Sequence, residues 1–379
     1  MTGPLIRVAG DRFNWQVKAA ILETMGLLLT KVSAALRPFV SQLQTTFVRA
    51  LSDTTQEVRL RAASGLGKLI PLQPRVDSLI TELVNGAKTC DPFIRETFLR
   101  ALFAVLRAAG AGVSAPVRTT IQGVLVAYLS ETEEDMRTAA AHCLGALSKS
   151  TPAADVRTLV TKQLLPSETA KIGAAQALTA ILQDSAEALV QPPLEAVTAW
   201  IVQQTQQDDK MALAIAGLRS IAYTLMSTGE TSDVLLPALA LALGDKKPTD
   251  VRLVAAVALK NIAKANLKVV EAHLALVVPP LLAAAQEKKS LRLKLATERA
   301  LLYSLGLNVD ETVLQAFLAK STAADPDTAK ALQDYHRRVL SKLAQRNSTS
   351  EATAAADGSG DVSDDDQEMD RSFEKKLQL

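Results

Sequence analysis

One motif recurs along most of this chain at a nearly constant interval. A hydrophobic residue is followed by Arg or Lys, then by small residues, then by a leucine-rich pair that often encloses a glycine. It reads QVKAAILETMGLL at Lys18, EVRLRAASGLGKL at Arg59, FIRETFLRALFAVL at Arg95 and DMRTAAAHCLGAL at Arg137. It returns as TAKIGAAQALTAI at Lys171, DKMALAIAGLRSI at Lys210, DVRLVAAVALKNI at Arg252 and SLRLKLATERALL at Arg292. The spacings are 41, 36, 42, 34, 39, 42 and 40 residues, a mean of about 39. Self-similarity at that period means a stack of supersecondary units, because one such unit cannot bury its apolar face alone.

Between the copies lies a second helical pattern, opened by Pro or Asp. RPFVSQLQTTFVRALSD, PVRTTIQGVLVAYLSE, PPLEAVTAWIVQQTQ and DVLLPALALALGD are examples. Proline in a first helical turn costs little, since the missing N–H has no helical partner there. Each unit therefore reads as helix A, a turn with an acidic residue, and helix B with the Arg or Lys near its start. Composition agrees. Hydrophobic residues make up 48% but aromatics only 4%, so the interior must be built from Ala, Leu and Val, and Ala and Leu favour helix. The expected fold is all-α, a HEAT/armadillo-type α-solenoid of about eight helix pairs over residues 1–345. The array opens with only the end of a helix A, so we expect it to start mid-solenoid as part of something longer. PDTAKALQDYHRRVLSKLAQ is more polar and suits a closing helix. From about Gln345 the pattern stops, and residues 346–379 read as a disordered acidic tail. That tail carries four basic and nine acidic residues, near −5, which leaves the body near +7 against an overall +2.

Little in the sequence points to chemistry. His142, His273 and His336 sit in three different helical patterns, and no metal-ligating, nucleophile-elbow or phosphate-loop motif occurs. We expect no enzyme activity, no cofactor and no small-molecule substrate. Cys90 and Cys143 are too few for a disulfide framework, which fits a reducing, cytoplasmic setting. The apolar runs are interrupted by Lys31, Glu271, His273 and a double proline, so no membrane span is expected. The recurring cations Arg59, Arg95, Arg137 and Arg252 have two readings. One is a structural ladder, each bonding a turn Asp or carbonyl in its own or a neighbouring unit. The other is a basic stripe gripping an acidic partner or RNA phosphate. Few aromatics are interleaved to stack bases, so sequence-reading of RNA is not expected. In the tail, Ser363 before Asp364, Asp365 and Asp366 is a candidate phosphosite.

The stretch GPLIRVAGDRFNW, Gly3 to Trp15, carries more. With the residues that follow, it combines GPLIR, GDRF, KAA, QLQTTF and LGKL at fixed spacing as far as Ile70. Over that range the chain closely resembles the HEAT-repeat translational activator family called general control non-derepressible protein one. From Lys88 to Ser148 the resemblance thins to repeat level, and TDVRLVAA at Thr249–Ala256 matches again. The acidic tail is not part of it. The resemblance implies a cytosolic scaffold that associates with stalled or collided ribosomes. It also implies binding and activation of the amino-acid-starvation kinase that phosphorylates the alpha subunit of translation initiation factor two. The kinase docks through its RWD domain, and residues 1–150 would belong to the docking region. Ribosome contacts would lie mainly upstream. The residue the family needs there is basic, which makes Arg12 the preferred contact and Arg7 the second. Gly10 and Asp11 suit the turn before helix B, Asn14 suits a cap for a helix starting at Trp15, and Phe13 and Trp15 are expected to pack under the turn. A generic helical-repeat adaptor, such as a transport receptor or phosphatase scaffold, is the remaining alternative.

Overall fold

The computed structural model describes residues 13–73, 75–167, 169–189, 194–206, 211–227, 231–286, 290–305 and 311–324, with Lys330, Gln333 and Arg337. The described backbone is helical, with no strand among the described residues. It forms two compact units, one ending at Val197 and the other beginning at Thr198.

In the first unit, the helices carrying the motif are α1 (Trp15–Lys31), α3 (Gln56–Leu69), α5 (Pro92–Ala109), α7 (Glu134–Ser148) and α9 (Lys171–Ser185). They alternate with α2 (Val40–Ala50), α4 (Asp77–Thr89), α6 (Ala115–Tyr128) and α8 (Ala153–Leu159). Successive B helices pack side by side, α1 on α3, α3 on α5, α5 on α7 and α7 on α9, while each A helix packs on a B helix or its connecting turn. Pro116 lies in the first turn of α6, as a residue without an N–H should. The motif's small residues explain the packing. Ala62, Ala63, Leu66 and Leu69 of α3 are buried, as are Ala139, Ala140, Cys143, Leu144 and Leu147 of α7. One feature was not legible in advance: α8 runs into a π-helical turn, Val160–Leu164.

The second unit repeats the scheme. α10 (Leu194–Thr205) spans the division, and α11 (Met211–Ser227), α12 (Ser232–Ala242) and α13 (Thr249–Ala265) follow. Then come α14 (Leu267–Glu271), α15 (Leu274–Ala285), α16 (Leu291–Leu305) and α17 (Glu311–Ala324). α13 packs between α11 and α16. Two of the buried polar groups in the core of this unit are satisfied within their own helix. Ser220 and Thr224 are buried, and their hydroxyls donate to the carbonyls of Ala216 and Ser220.

Close approach depends on glycine at two kinds of contact. The α7–α9 seam is set by Gly145, where a Cβ would lie 2.7 Å from the Ala180 carbonyl oxygen. Between α2 and α3, the wholly buried Phe47 ring fills the place of the missing Gly65 side chain, and a Cβ there would stand 2.3 Å from it. Neither backbone nor a buried ring can yield cheaply, because interiors are packed at crystal-like density. Gly145→Leu is therefore expected to lower stability by at least about 1–3 kcal/mol, read as a lower urea midpoint, whereas Gly123→Ala, in open space inside α6, is expected to raise the midpoint through about 0.5–1 kcal/mol of added helix stability.

Candidate partner-binding surface

The edge where each A helix turns into its B helix holds the motif's cations. In the α2–α3 turn, Asp53 Oδ1 accepts the Thr55 amide at 2.9 Å, satisfying a donor at the start of α3. Its other oxygen pairs with Lys18 Nζ of α1 at 2.9 Å, with both side chains largely buried. Arg59 lies just beyond, 3% exposed. Its Nη1 donates to the Asp53 and Thr54 carbonyls at 3.0 Å each, and its Nε donates to Thr97 Oγ1 of α5 at 3.2 Å. One short stretch thus joins three consecutive B helices. Burial pushes the Asp53 carboxyl up, but the Thr55 amide, Lys18 and Arg59 pull it down further, and its pKa lies below the ordinary aspartate value.

The other copies vary on this scheme. Arg137 Nη1 donates to the carbonyls of Glu131, at 2.8 Å, and Thr132 in its own turn. Arg252, also 3% exposed, reaches the Leu243 carbonyl just past the end of α12 with Nε at 3.1 Å. There it complements the negative end of that helix. Its acidic partner is Asp245, at 3.2 Å, rather than the Asp250 of the sequence pattern. Arg95 is half-buried beside Cys90 and Tyr128. Burial pushes up both the thiol and the phenol, and Arg95 opposes each shift. The Nε atoms of Arg95 and Arg137 are buried without a hydrogen-bond partner. Arg292, the last copy, is exposed. A guanidinium as buried as that of Arg59 or Arg252 presents no charge to a partner.

What this edge does present is aromatic, which the sequence reading missed. Phe93, in the first turn of α5, is 77% exposed and lies over the Arg59 guanidinium at 5.3 Å. Its place directly after Pro92, at a helix start, was the available signal. On the solvent side of α5 and α7, Arg107 lies 5.8 Å from the Phe103 ring, and Phe103 and His142 have centroids 5.6 Å apart. Cys143 beside His142 is wholly buried, donates to the Leu99 carbonyl, and has its thiol pKa pushed far up by burial. It is no nucleophile in this setting. Among the described residues, no group of His, Cys, Asp and Glu could hold a metal ion, and no single helix is long and apolar enough to cross a membrane.

Arg7, Arg12 and Ser363 lie outside the described residues, as does the acidic tail. Around Arg12 the expectations meet the structure in part. α1 does begin at Trp15 with Asn14 as its N-cap, but the Asn14 side chain makes no capping bond, and the Asn14 carbonyl accepts from Val17 and Lys18 instead. The turn at Gly10 and Asp11, under which Phe13 and Trp15 are expected to pack, lies outside the described residues. Phe13 and Trp15 are each 43% exposed, so this part of the edge carries apolar surface.

Stacked helix pairs, turn-bonded arginines and glycine-set seams define a HEAT-repeat α-solenoid. The crystal structure of Kap121p has this architecture, with a TM-score of 0.57 over 88% of this chain and 37% of that one, at 16% identity. Kap121p bound to Pho4p gives the same TM-score and coverage at 15% identity, and both likenesses bear on the fold alone. The family follows from sequence: residues 77–354 match the model for "Stalled ribosome sensor GCN1-like, HEAT repeats", and the chain belongs to that family. It is 34% identical over 364 residues to the human stalled ribosome sensor GCN1, covering 93% of this chain and 13% of that protein. It is 33% identical over 351 residues to the eIF-2-alpha kinase activator GCN1 of Dictyostelium discoideum, covering 90% of this chain and 13% of the relative. To the Saccharomyces cerevisiae eIF-2-alpha kinase activator GCN1 it is 44% identical over 151 residues, 39% of this chain and 6% of the relative. The chain thus spans about an eighth of the human and Dictyostelium relatives.

Two outcomes test the turn network. Arg59→Ala removes charge-assisted bonds to buried acceptors and is expected to destabilise by about 1.5–3 kcal/mol in urea denaturation. Arg59→Lys recovers little, because an ammonium lacks the fork that reaches two carbonyls and Thr97 together. The depressed Asp53 pKa means that its contribution is in place above the ordinary aspartate value of 3.8 and is lost as pH falls through the folded pKa. Asp53→Asn should therefore lower stability near neutrality and flatten its fall at acid pH, as read by thermal melts across that range.

Proposed function

We propose that this chain is a non-catalytic scaffold segment in translation control, one that binds the RWD domain of the starvation-responsive kinase of translation initiation factor two alpha and supports its activation on stalled ribosomes. The observation that carries this reading is the family match over residues 77–354, joined to relatives named as stalled ribosome sensors and kinase activators. A solenoid suits the task, since stacked repeats offer a long surface with no need for a catalytic centre. Within it, Arg12, with Arg7 as the second candidate, supplies the contact to the kinase. An arginine projecting from an inter-helix turn can pair bidentately with a carboxylate of the partner. Phe13 and Trp15, both partly exposed, add apolar area beside it. The setting is cytoplasmic, and ribosome contact comes mainly from regions outside this chain.

The competing idea, a basic stripe that grips ribosomal RNA, draws on Arg59, Arg95, Arg137 and Arg252. Burial of Arg59 and Arg252 speaks against their use for that purpose. The test is a pulldown with the isolated RWD domain. Arg12→Ala is expected to weaken binding by about 2–5 kcal/mol while leaving the helical circular dichroism intact. A variant lacking residues 1–75 should lose binding altogether. Undiminished binding by Arg12→Ala would overturn the assignment of that residue.

A further inference from the structure

α12 and α15 are neighbours in the second unit and are nearly free of charge. α12 reads SDVLLPALALA, with Asp233 in its first turn, and α15 reads LALVVPPLLAAA. Helices apolar all round belong in a core. Yet each turns one side to solvent here. Leu241 is 66% exposed and Val234 half-exposed on α12, and Ala275, Pro279 and Ala283 are exposed on α15. The two helices are tied at one end, where His273 Nε2 meets Asp233 Oδ1 at 2.8 Å. In the first unit, the solvent side of the A helix α4 carries Ser78, Thr81, Glu82, Asn85 and Lys88 instead. An apolar outer face is therefore not a general property of A helices in this fold. Exposed apolar side chains on two neighbouring helices are the raw material of an interaction site.

The chain itself contains a segment with matching chemistry. Met369, Phe373 and Leu377 recur at i, i+4 and i+8, which places them on one face of a helix, the spacing of helix-in-groove ligands. Charge fixes a direction. Asp364, Asp365 and Asp366 precede this motif, and Lys375 and Lys376 lie inside it. On α12 the signs run in the same order, with exposed Asp233 at its start and Lys246 and Lys247 after its end, so opposite charges meet when the two segments lie antiparallel. Antiparallel placement along α12 brings Lys375 and Lys376 to Asp233 and the aspartate run to Lys246 and Lys247. The span from Asp233 to Lys246 is roughly 20 Å at helical rise, within reach of an acidic run followed by about three helical turns. The stretch from Arg346 to Glu368, about 23 residues, reaches roughly 25–30 Å as a flexible chain. Counted from Ala324, the end of α17, which packs on α15, 44 residues precede Met369, so the motif is tethered to the neighbourhood of this face.

We propose that the segment Met369–Leu379 docks in cis, as an amphipathic helix, on the solvent-facing apolar side of α12 and α15. The residues invoked are other than those assigned to the kinase contact, so failure of one assignment leaves the other standing. The test uses the full chain with Phe373 replaced by photoreactive p-benzoylphenylalanine, irradiated at low protein concentration, with cross-linked peptides identified by mass spectrometry. The expected result is an intramolecular cross-link, on the monomer band, to peptides covering residues 232–245 and 274–286. Leu241→Glu, at an exposed position, should cut that yield at least about fivefold with helical circular dichroism unchanged. Cross-links confined to a dimer band would place a second copy on the face and overturn docking in cis. Cross-links to other helices, no cross-link, or a yield indifferent to Leu241→Glu would overturn the proposal outright.

Discussion

The Arg59 guanidinium is the interaction on which the first unit most depends. A helix pair leaves carbonyls without partners where helix A ends, and these lie in a turn that the next pair must cover. A short hydroxyl or amide could satisfy one of them. A buried arginine reaches the Asp53 and Thr54 carbonyls and Thr97 of the following repeat together, while Asp53 holds Lys18 of the preceding one. Apolar contact alone would allow neighbouring Ala- and Leu-rich helices to slide, because one alanine face resembles another. Directional bonds to fixed carbonyls set the register, and the glycine at 145 fixes how closely α7 and α9 approach. Arg137 and Arg252 solve the same problem with different acceptors.

Much of this was legible in the sequence for a physical reason. A period of about 39 residues, small residues on one helical face and a cation at a constant offset are direct consequences of stacking similar units. The start of α1 at Trp15 and the helices opened by proline follow from backbone chemistry that acts locally. Other features were not legible because they depend on distant partners. Arg252 pairs with Asp245 rather than Asp250 because its guanidinium turns toward the C-terminal end of α12, a choice made by packing. Phe13 and Trp15 looked like core residues by type, yet each is 43% exposed, because residue type alone does not say which apolar side chains find a cover. The exposed sides of α12 and α15 were hidden for the opposite reason: an apolar sequence gives no sign of which side is left open.

The division of labour that results is simple. Residues that repeat hold the solenoid together, and those that break the repeat carry individuality. Arg59 and Arg252 are consumed by the fold. The exposed Phe93 and the apolar sides of α12 and α15 are turned to solvent instead. The chain belongs to a HEAT-repeat family, and the repeat architecture supplies a long surface.

The claim that one buried arginine couples three consecutive repeats is tested most directly by native-state hydrogen exchange on Arg59→Met. Methionine keeps much of the apolar stem and removes the guanidinium. The account predicts that amides in α1, in the α2–α3 turn and in the first turns of α5 lose protection together, while those of α16 do not change. Loss confined to the α2–α3 turn, or no loss at all, would contradict it.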